Sequence, residues 1–341
     1  MTSYSVILLL RLDRGIDPRI KCGAGSVSRV SRENGNPVPH KYERGKDNIM
    51  KNIGGQAVIE GVMMKSPKGW TVAVRDTKGD IHVKREGLSE LPKLLKVPML
   101  RGVAALFHAL FLGVKAIEFS ASKAYNEDEK PMSPLTISLT MGFAFIIGIA
   151  LFVLLPLYAT KLIGIVIASV SENSFLFNLI DGIIRVLIFL LYVMAIGLWK
   201  EMRRIFEYHG AEHKVIHAYE DGQELNVENV KRFSPHHPRC GTSFLLIVMV
   251  TSIFVFSFIP QSWVFIYKFL SRLILIPVVA GLSYEILKLS SRMKDNPIIN
   301  LMIMPGLLLQ RLTAHDPDDR QIEVAITALK EVLKLEAENA A

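Results

Sequence analysis

Hydrophobic and polar positions alternate along this chain on two length scales. Over residues 53–90 the runs are short. Ala57-Val58-Ile59 precedes Gly61-Val62-Met63-Met64, then Trp70-Thr71-Val72-Ala73-Val74 and Asp80-Ile81-His82-Val83-Lys84 flank Asp76-Thr77-Lys78-Gly79. Short apolar runs around a turn-rich tetrapeptide are a hairpin signal and predict a small β-rich element. Such a sheet is marginal alone and is expected to pack on neighbouring helices. Leu88 to Tyr125 reads as helical and amphipathic, and Asn126 to Pro134 as a charged, proline-bounded linker. Beyond it the runs lengthen. No charge falls between Lys130 and Lys161, a stretch from about Phe175 to Trp199 is broken only by Asp181 and Arg185, and Gly241 to Tyr267 is uncharged. A fourth run, Leu270 to Leu289, carries Glu285. A spanning helix needs ~20 apolar residues, so these runs predict four transmembrane helices.

Two apolar segments look too short to span. Gly102 to Val114 lies between Arg101 and Lys115, and Pro297 to Gln310 is interrupted by Pro305-Gly306. They read as interfacial or re-entrant pieces, or as buried core helices. The chain ends in an amphipathic helix with Ile322, Val324, Ala325, Ala328, Leu329, Val332 and Leu333 at helical spacing, an internal packing face or a partner surface.

Charge orients these elements. The loop after the first span carries Lys161 alone, whereas residues 200–239 carry seven basic residues. The positive-inside rule therefore puts that loop and both termini in the cytoplasm of a multi-pass membrane protein. Half of the residues are hydrophobic and the net charge is +8. Residues 1–49 hold nine Lys/Arg against five Asp/Glu, so about half of that excess lies in the N-terminal stretch and no nucleic-acid signature remains. This stretch reads either as a disordered extension or as sequence before a true start at Met50. Cys22 and Cys240 make no disulfide framework.

The candidate chemistry lies in the basic loop. His209, His213 and His217 recur at four-residue steps, with Glu212 between the first two and Glu220 after the third. On a helix they form one slowly drifting stripe. Two imidazoles one turn apart can hold a divalent cation, with a neighbouring carboxylate as general base. The spacing also fits the inverted zincin pattern His-x-x-Glu-His. The return segment adds His236, His237 and Cys240. The expected ligands are thus His209, His213, His217, Glu220, His236, His237 and Cys240, with Glu212 as catalytic base and zinc as the metal best suited to the donors. A single helix continuing from the second span through Glu220 would place His209 about 15 Å beyond Trp199, so the return loop must fold back or the helix must bend. Asp181 and Arg185 are expected to neutralise each other, and Glu285 is a site residue or a partner for Lys288 or Arg292.

The run from Ile53 to Met64, Arg101-Gly102, the segment from His209 to Glu220, Phe233 to Phe244 and Pro305-Gly306-Leu307 together resemble the bacterial DUF1385 family. The resemblance covers Met50 to the C-terminus. It implies a multispan membrane protein of a group described as predicted metal-dependent enzymes on the strength of these histidines, with no substrate or fold attached. Residues 1–49 lie outside its pattern.

The expected fold is therefore mainly α: an integral membrane helical bundle with interfacial or re-entrant helices and a small cytoplasmic β-rich N-terminal element. Residues 50–95 form that element, 96–130 the interfacial helices, 131–295 the four-span domain with its histidine-rich hairpin at 200–242, and 296–341 the re-entrant and C-terminal helices. The expected function is a metal-dependent hydrolase at the cytoplasmic face, with the lipid bilayer and a cytoplasmic protein as partners. The alternatives are a scaffold or assembly factor in membrane-protein biogenesis and, less favoured without an internal repeat, a lipid or ion transporter.

Overall fold

Successive residues of the third patterned run, Trp70 to Val74, are all buried, which a strand manages only when both faces of its sheet are covered. The computed structural model describes residues 53–88, 97–124, 134–237, 240–260, 262–290 and 297–339. In a separate N-terminal unit it also describes the strands Arg32–Glu33 and Asn36–Pro37, which pair antiparallel. The rest of the expectation for residues 1–49 falls outside the described residues.

Strands β1 (Gly54–Val58), β2 (Gly61–Lys65), β3 (Gly69–Arg75) and β4 (Ile81–Gly87) form an antiparallel meander in sequence order. The β3–β4 hairpin sits where the pattern puts it. Asp76 Oδ1 accepts the Lys78 and Asp80 amides at 2.9 Å, and Gly79 supplies the left-handed residue at φ +100. Trp70, Val72 and Val74 face Leu112, Ala116 and Ala124 of helix α1 (Leu100–Ala124). Val62, Met64 and Ala73 face the other way, toward helices from the histidine-rich and C-terminal segments. The period-two alternation of the strands thus divides between two apolar cores.

After α1 come α2 (Pro134–Ile149), a π turn (Ala150–Leu154), α3 (Leu155–Val166), the short α4 (Ala168–Glu172), α5 (Ser174–Ile196), α6 (Lys200–Glu220) and α7 (Val227–Lys231). Then follow α8 (Gly241–Phe256), α9 (Phe265–Ser290), α10 (Pro297–Thr313) and α11 (Asp319–Glu338). Among the described residues, four helical stretches are long and apolar enough to cross a membrane: Leu100–Ala124, Leu139–Val166, Ser174–Ile196 and Phe265–Leu289.

The number matches the expectation, but the membership does not. The segment containing Gly102–Val114 belongs to a 25-residue helix. Its exposed Leu106, Phe107, Leu110 and Phe111 lie outward, while its C-terminal half packs along the sheet. The expected span from Gly241 stops at Phe256 after 16 residues, about 24 Å. There the Ser257 amide closes the helix onto the Ile253 carbonyl, and Pro260 follows with no amide to continue it.

Two further expectations need correction. The second span does not continue into the histidine stripe, because α5 ends at Ile196 and Trp199 is extended at ψ 135 before α6 begins. Nor does Pro305 break its helix, since α10 runs through it. Gly306 there serves a close approach: a Cβ would lie 2.5 Å from Ser243 Oγ of α8. Glu285 pairs with the Arg101 guanidinium, with Nε to Oε1 at 2.7 Å, so its main partner comes from α1. Arg292 lies outside the described residues.

The Asp181–Arg185 pair forms as expected, at 2.6 Å, but a second guanidinium joins it. Arg272 of α9 donates to the other Asp181 oxygen at 2.6 Å and to Asn178 Oδ1 at 3.0 Å. Arg185 also donates to Ser252 Oγ at 2.7 Å and to the Phe152 carbonyl at 3.0 Å. That carbonyl belongs to the π turn, whose wider winding loosens the regular ladder and lets a side chain in. Arg185, Asp181 and Arg272 are all buried.

Candidate metal centre

The site is assembled by α6 and three segments that press on it. Alanine, tyrosine and valine residues of α6 (Tyr208, Ala211, Val215) are buried against the sheet and α11, which fixes the helix and turns the histidine stripe away from that core. His209 Nδ1 lies 2.7 Å from the Thr313 carbonyl at the end of α10. His213 Nδ1 lies 2.6 Å from the Pro235 carbonyl in the return loop. A carbonyl can only accept, so each Nδ1 carries a proton, and a neutral ring so held has its lone pair on Nε2. This is the arrangement by which metal-binding histidines are oriented.

His209 Nε2 is 3.2 Å from Cys240 Sγ, and ligand atoms of His209, His213 and Cys240 all fall within 4.8 Å of one another. A zinc ion with bonds of ~2.0 Å to nitrogen and ~2.3 Å to sulfur needs donors about 3.5 Å apart, so the set fits with small adjustments. Cys240 is the N-cap of α8 and takes the Thr242 amide at 3.4 Å. Burial pushes its thiol up, while the Thr242 hydroxyl and amide pull the other way. Burial and the neighbouring His209 hold His213 down at about 2, so it is a neutral imidazole, the form that ligates.

Glu212 is buried beside this group. Desolvation raises its carboxyl to about 7, opposed by His209 and by the Gly55 amide of β1. A carboxyl poised near neutrality suits a general acid or base. Gly55 is required for the fit, since a Cβ there would lie 2.9 Å from Glu212 Cδ.

The remaining candidates form an adjoining layer one turn along. His217 Nε2 donates to the His236 carbonyl at 2.9 Å, and its ring stacks on Phe233 at an interplanar angle of 7°. His237 lies with its ring 4.4 Å from that of His217 and 5.8 Å from that of His213, and its Nε2 is 3.5 Å from Glu220. The His236 ring meets Ser234 Oγ at 3.4 Å. Of the expected ligands, the structure thus brings His209, His213 and Cys240 to one point and places His217, Glu220, His236 and His237 beside it.

Several contributors were not among the sequence candidates. Gln310 of α10 brackets His237 from both sides, accepting its amide at 2.8 Å and donating to its carbonyl at 2.9 Å. Thr313 and Pro235 act through the backbone, so no side-chain chemistry advertises them. Gly210 had a detectable signal, its place between a histidine and an acid, but the reason lies elsewhere. A Cβ there would fall 1.8 Å from the His315 carbonyl, whose residue also donates its amide to Phe206 O at 2.9 Å. Gly210→Ala is therefore expected to push residues 313–315 off α6 and release His209. It should lower thermal stability by about 1–3 kcal/mol, the usual cost of overpacking, and weaken metal retention. Calorimetry and metal analysis of the variant check both.

The class defined by these features is a mainly helical protein with, among the described residues, four helices long and apolar enough to cross a membrane and a largely buried His–His–Cys cluster on the hairpin that follows one of them. The chain belongs to the DUF1385 family: the model described as "Protein of unknown function (DUF1385)" matches residues 97–335. It is 35% identical over 308 residues to the "Uncharacterized protein YqhQ" of Bacillus subtilis (strain 168), covering 86% of this chain and 95% of that protein. No solved structure matches it.

Proposed function

We propose that the chain is an integral membrane, metal-dependent hydrolase whose centre is held by His209, His213 and Cys240 at the cytoplasmic face. One observation carries the reading. Two histidines of α6 have each Nδ1 committed to a carbonyl, His209 sets its Nε2 3.2 Å from a buried cysteine sulfur, and a ring nitrogen of His213 lies within 4.8 Å of both. A divalent cation there, zinc by the softness of the donors, would supply Lewis-acid activation. The chain's own part is to hold that geometry and to move a proton at Glu212, whose carboxyl lies within electrostatic reach of His209 and Cys240. The adjoining His217, His237 and Glu220 orient the return loop.

The membrane part draws on the long apolar helices, and the cytoplasmic reading of the site on the basic residues of the hairpin, which the positive-inside rule favours on that side. The scaffold alternative draws on the sheet and α11 as docking faces. Their apolar residues are largely spent on each other: Ile322, Ala325, Leu329 and Val332 are fully buried with Val62 and Met64.

Metal analysis of gently purified protein tests the reading. One zinc per chain is expected, and a metal-free protein with intact fold would sink it. Glu212 adds a pH signature. Its carboxyl ionises near 4.5 when unfolded and near 7 in the folded, metal-free chain. Between those values the unfolded state releases a proton that the folded state keeps, so stability falls as pH rises through the window, by roughly 3 kcal/mol. Glu212→Gln is expected to abolish that fall in chelator-treated protein while leaving metal stoichiometry intact. Melting curves from pH 4.5 to 8 provide the check.

A further inference from the structure

The sheet, α6 and α11 bury their apolar residues in one core, so all three lie on the same side of a membrane that the chain crosses. The number of crossings between β4 and α6 is then even. Three long apolar stretches stand there among the described residues: α1, α2 with α3, and α5. One of them does not cross, and packing singles out α1. Leu112, Ala116 and Ala124 of its C-terminal half lie against Trp70, Val72 and Val74 of β3. Taking that half into hydrocarbon would take the sheet with it, including the edge strand β4 with Lys84, Arg85 and Glu86. Lipid-exposed sheet edges do not occur at that depth. The part of α1 before Leu112 is only about 18 Å long, short of the ~30 Å hydrocarbon core.

We infer that α1 lies along the membrane face that carries the histidine hairpin, with Phe107, Leu110, Phe111, Val114 and Ile117 sunk into the acyl region of that leaflet. The inference rests on the membrane reading above, though not on the metal centre. At 100° per residue these five side chains share the face of α1 turned away from the sheet, and Phe107, Leu110 and Phe111 are each at least 59% exposed. Their continuity with α9 sets the depth. A Cβ on Gly102 would lie 2.7 Å from Tyr284 Cβ, and the Arg101–Glu285 pair forms beside that contact. Glu285 stands about 30 Å along α9 from Phe265, one hydrocarbon thickness, so the pair falls at headgroup level, where charge is tolerated. Arg101, His108 and Lys115 recur at seven-residue steps along one flank of the stripe. Lys115 holds its Nζ 5.0 Å from the centre of the Phe111 ring, an ammonium at the border of an apolar surface, as snorkelling lysines place it. An apolar stripe with a basic border is the pattern of a helix lying in the interfacial plane. Strand β1 then separates leaflet-bound α1 from the site, because Gly55 abuts Glu212 and the next residue, Gln56, abuts Gly113 of α1.

The test places a nitroxide on the full chain in vesicles of phosphatidylcholine and phosphatidylglycerol, at one introduced cysteine at a time in a Cys22→Ser background. Cys240 is buried, and the Cys22→Ser protein alone gives the background label. The α1 variants are Phe107→Cys, Phe111→Cys and Ile117→Cys, and depth is read from relaxation by oxygen against a water-soluble nickel chelate. All three labels are expected at the same depth, roughly 5–10 Å below the phosphates. A step of about 15 Å in depth from Phe107 to Ile117, as a crossing helix would give, overturns the inference. So do labels that sit in water. Leu187→Cys, at an exposed position of α5, separates that failure from failure of the premise. A deep label there with the α1 labels in water overturns the placement of α1 alone. A label in water at Leu187 overturns the membrane reading and the inference with it.

Discussion

His213→Ala is expected to weaken metal binding by about 100-fold or more while leaving a folded chain. A structural zinc site is worth about 10–16 kcal/mol over its ligands, so one ligand carries roughly 3 kcal/mol, or ~100-fold or more in affinity. His209→Ala and Cys240→Ala should do the same. Gln310→Ala, which removes the clamp on the return loop rather than a ligand, should cost only about 10–100-fold. The ranking is the sharp part of the expectation. Competition titration with a chromogenic chelator measures it, and melting with and without chelator provides a second reading. Wild-type protein should lose about 4 kcal/mol when metal present at a thousand times its dissociation constant is withdrawn, and His213→Ala no more than about 1.4 kcal/mol at the same metal concentration. Equal affinities for His213→Ala and for His236→Ala, whose ring meets Ser234 outside the convergent set, would locate the metal elsewhere or nowhere.

Asp181→Ala should be the most destabilising single change in the helical bundle. It leaves two guanidiniums facing each other among apolar helices, both less than one-tenth exposed, with their centres 5.0 and 5.2 Å from the Phe256 ring. Breaking a buried ion pair from one side costs about 3–5 kcal/mol, and here a single deletion breaks two. Arg185→Met should be milder, because it leaves Asp181 paired with Arg272 one to one. Asp181→Asn should fall between them, keeping hydrogen-bond acceptance at one oxygen but not the charge. Unfolding in detergent with denaturant reads the order, and an Arg185→Met variant weaker than Asp181→Ala would contradict the charge account.

How much of this was legible in the sequence differs from one element to the next. The β3–β4 hairpin was, because Asp76 and Gly79 act locally and a turn of a few residues decides it. So was the histidine stripe, since four-residue spacing on α6 depends only on helix geometry. The length of α8 was not. Its apolar run continues past Phe256, and hydropathy does not register that Ser257 and Pro260 end the helix. The break before α6 was likewise hidden, as Gly197-Leu198-Trp199 contains a single ordinary breaker and is otherwise apolar. That break and the folded-back loop together remove the geometric strain that a continuous helix would impose on the site. Arg272 was missed as a partner of Asp181 because the two residues lie 91 positions apart, and only tertiary packing makes them neighbours.

The two carbonyls that orient the histidines carry a consequence for genetics. Thr313 and Pro235 hold His209 and His213 through main-chain oxygen, which every amino acid supplies. Substitution at Thr313 should leave its carbonyl where it is, so a scan of single replacements would pass over it as a silent position. The path of the chain is what must be preserved. Deleting one residue between Gln310 and His315 shifts the oxygen by a step along the backbone and should disable the centre as thoroughly as losing His209 itself. Insertions, deletions and truncations are thus the informative lesions in this region, and tolerance of point changes there says nothing against its importance.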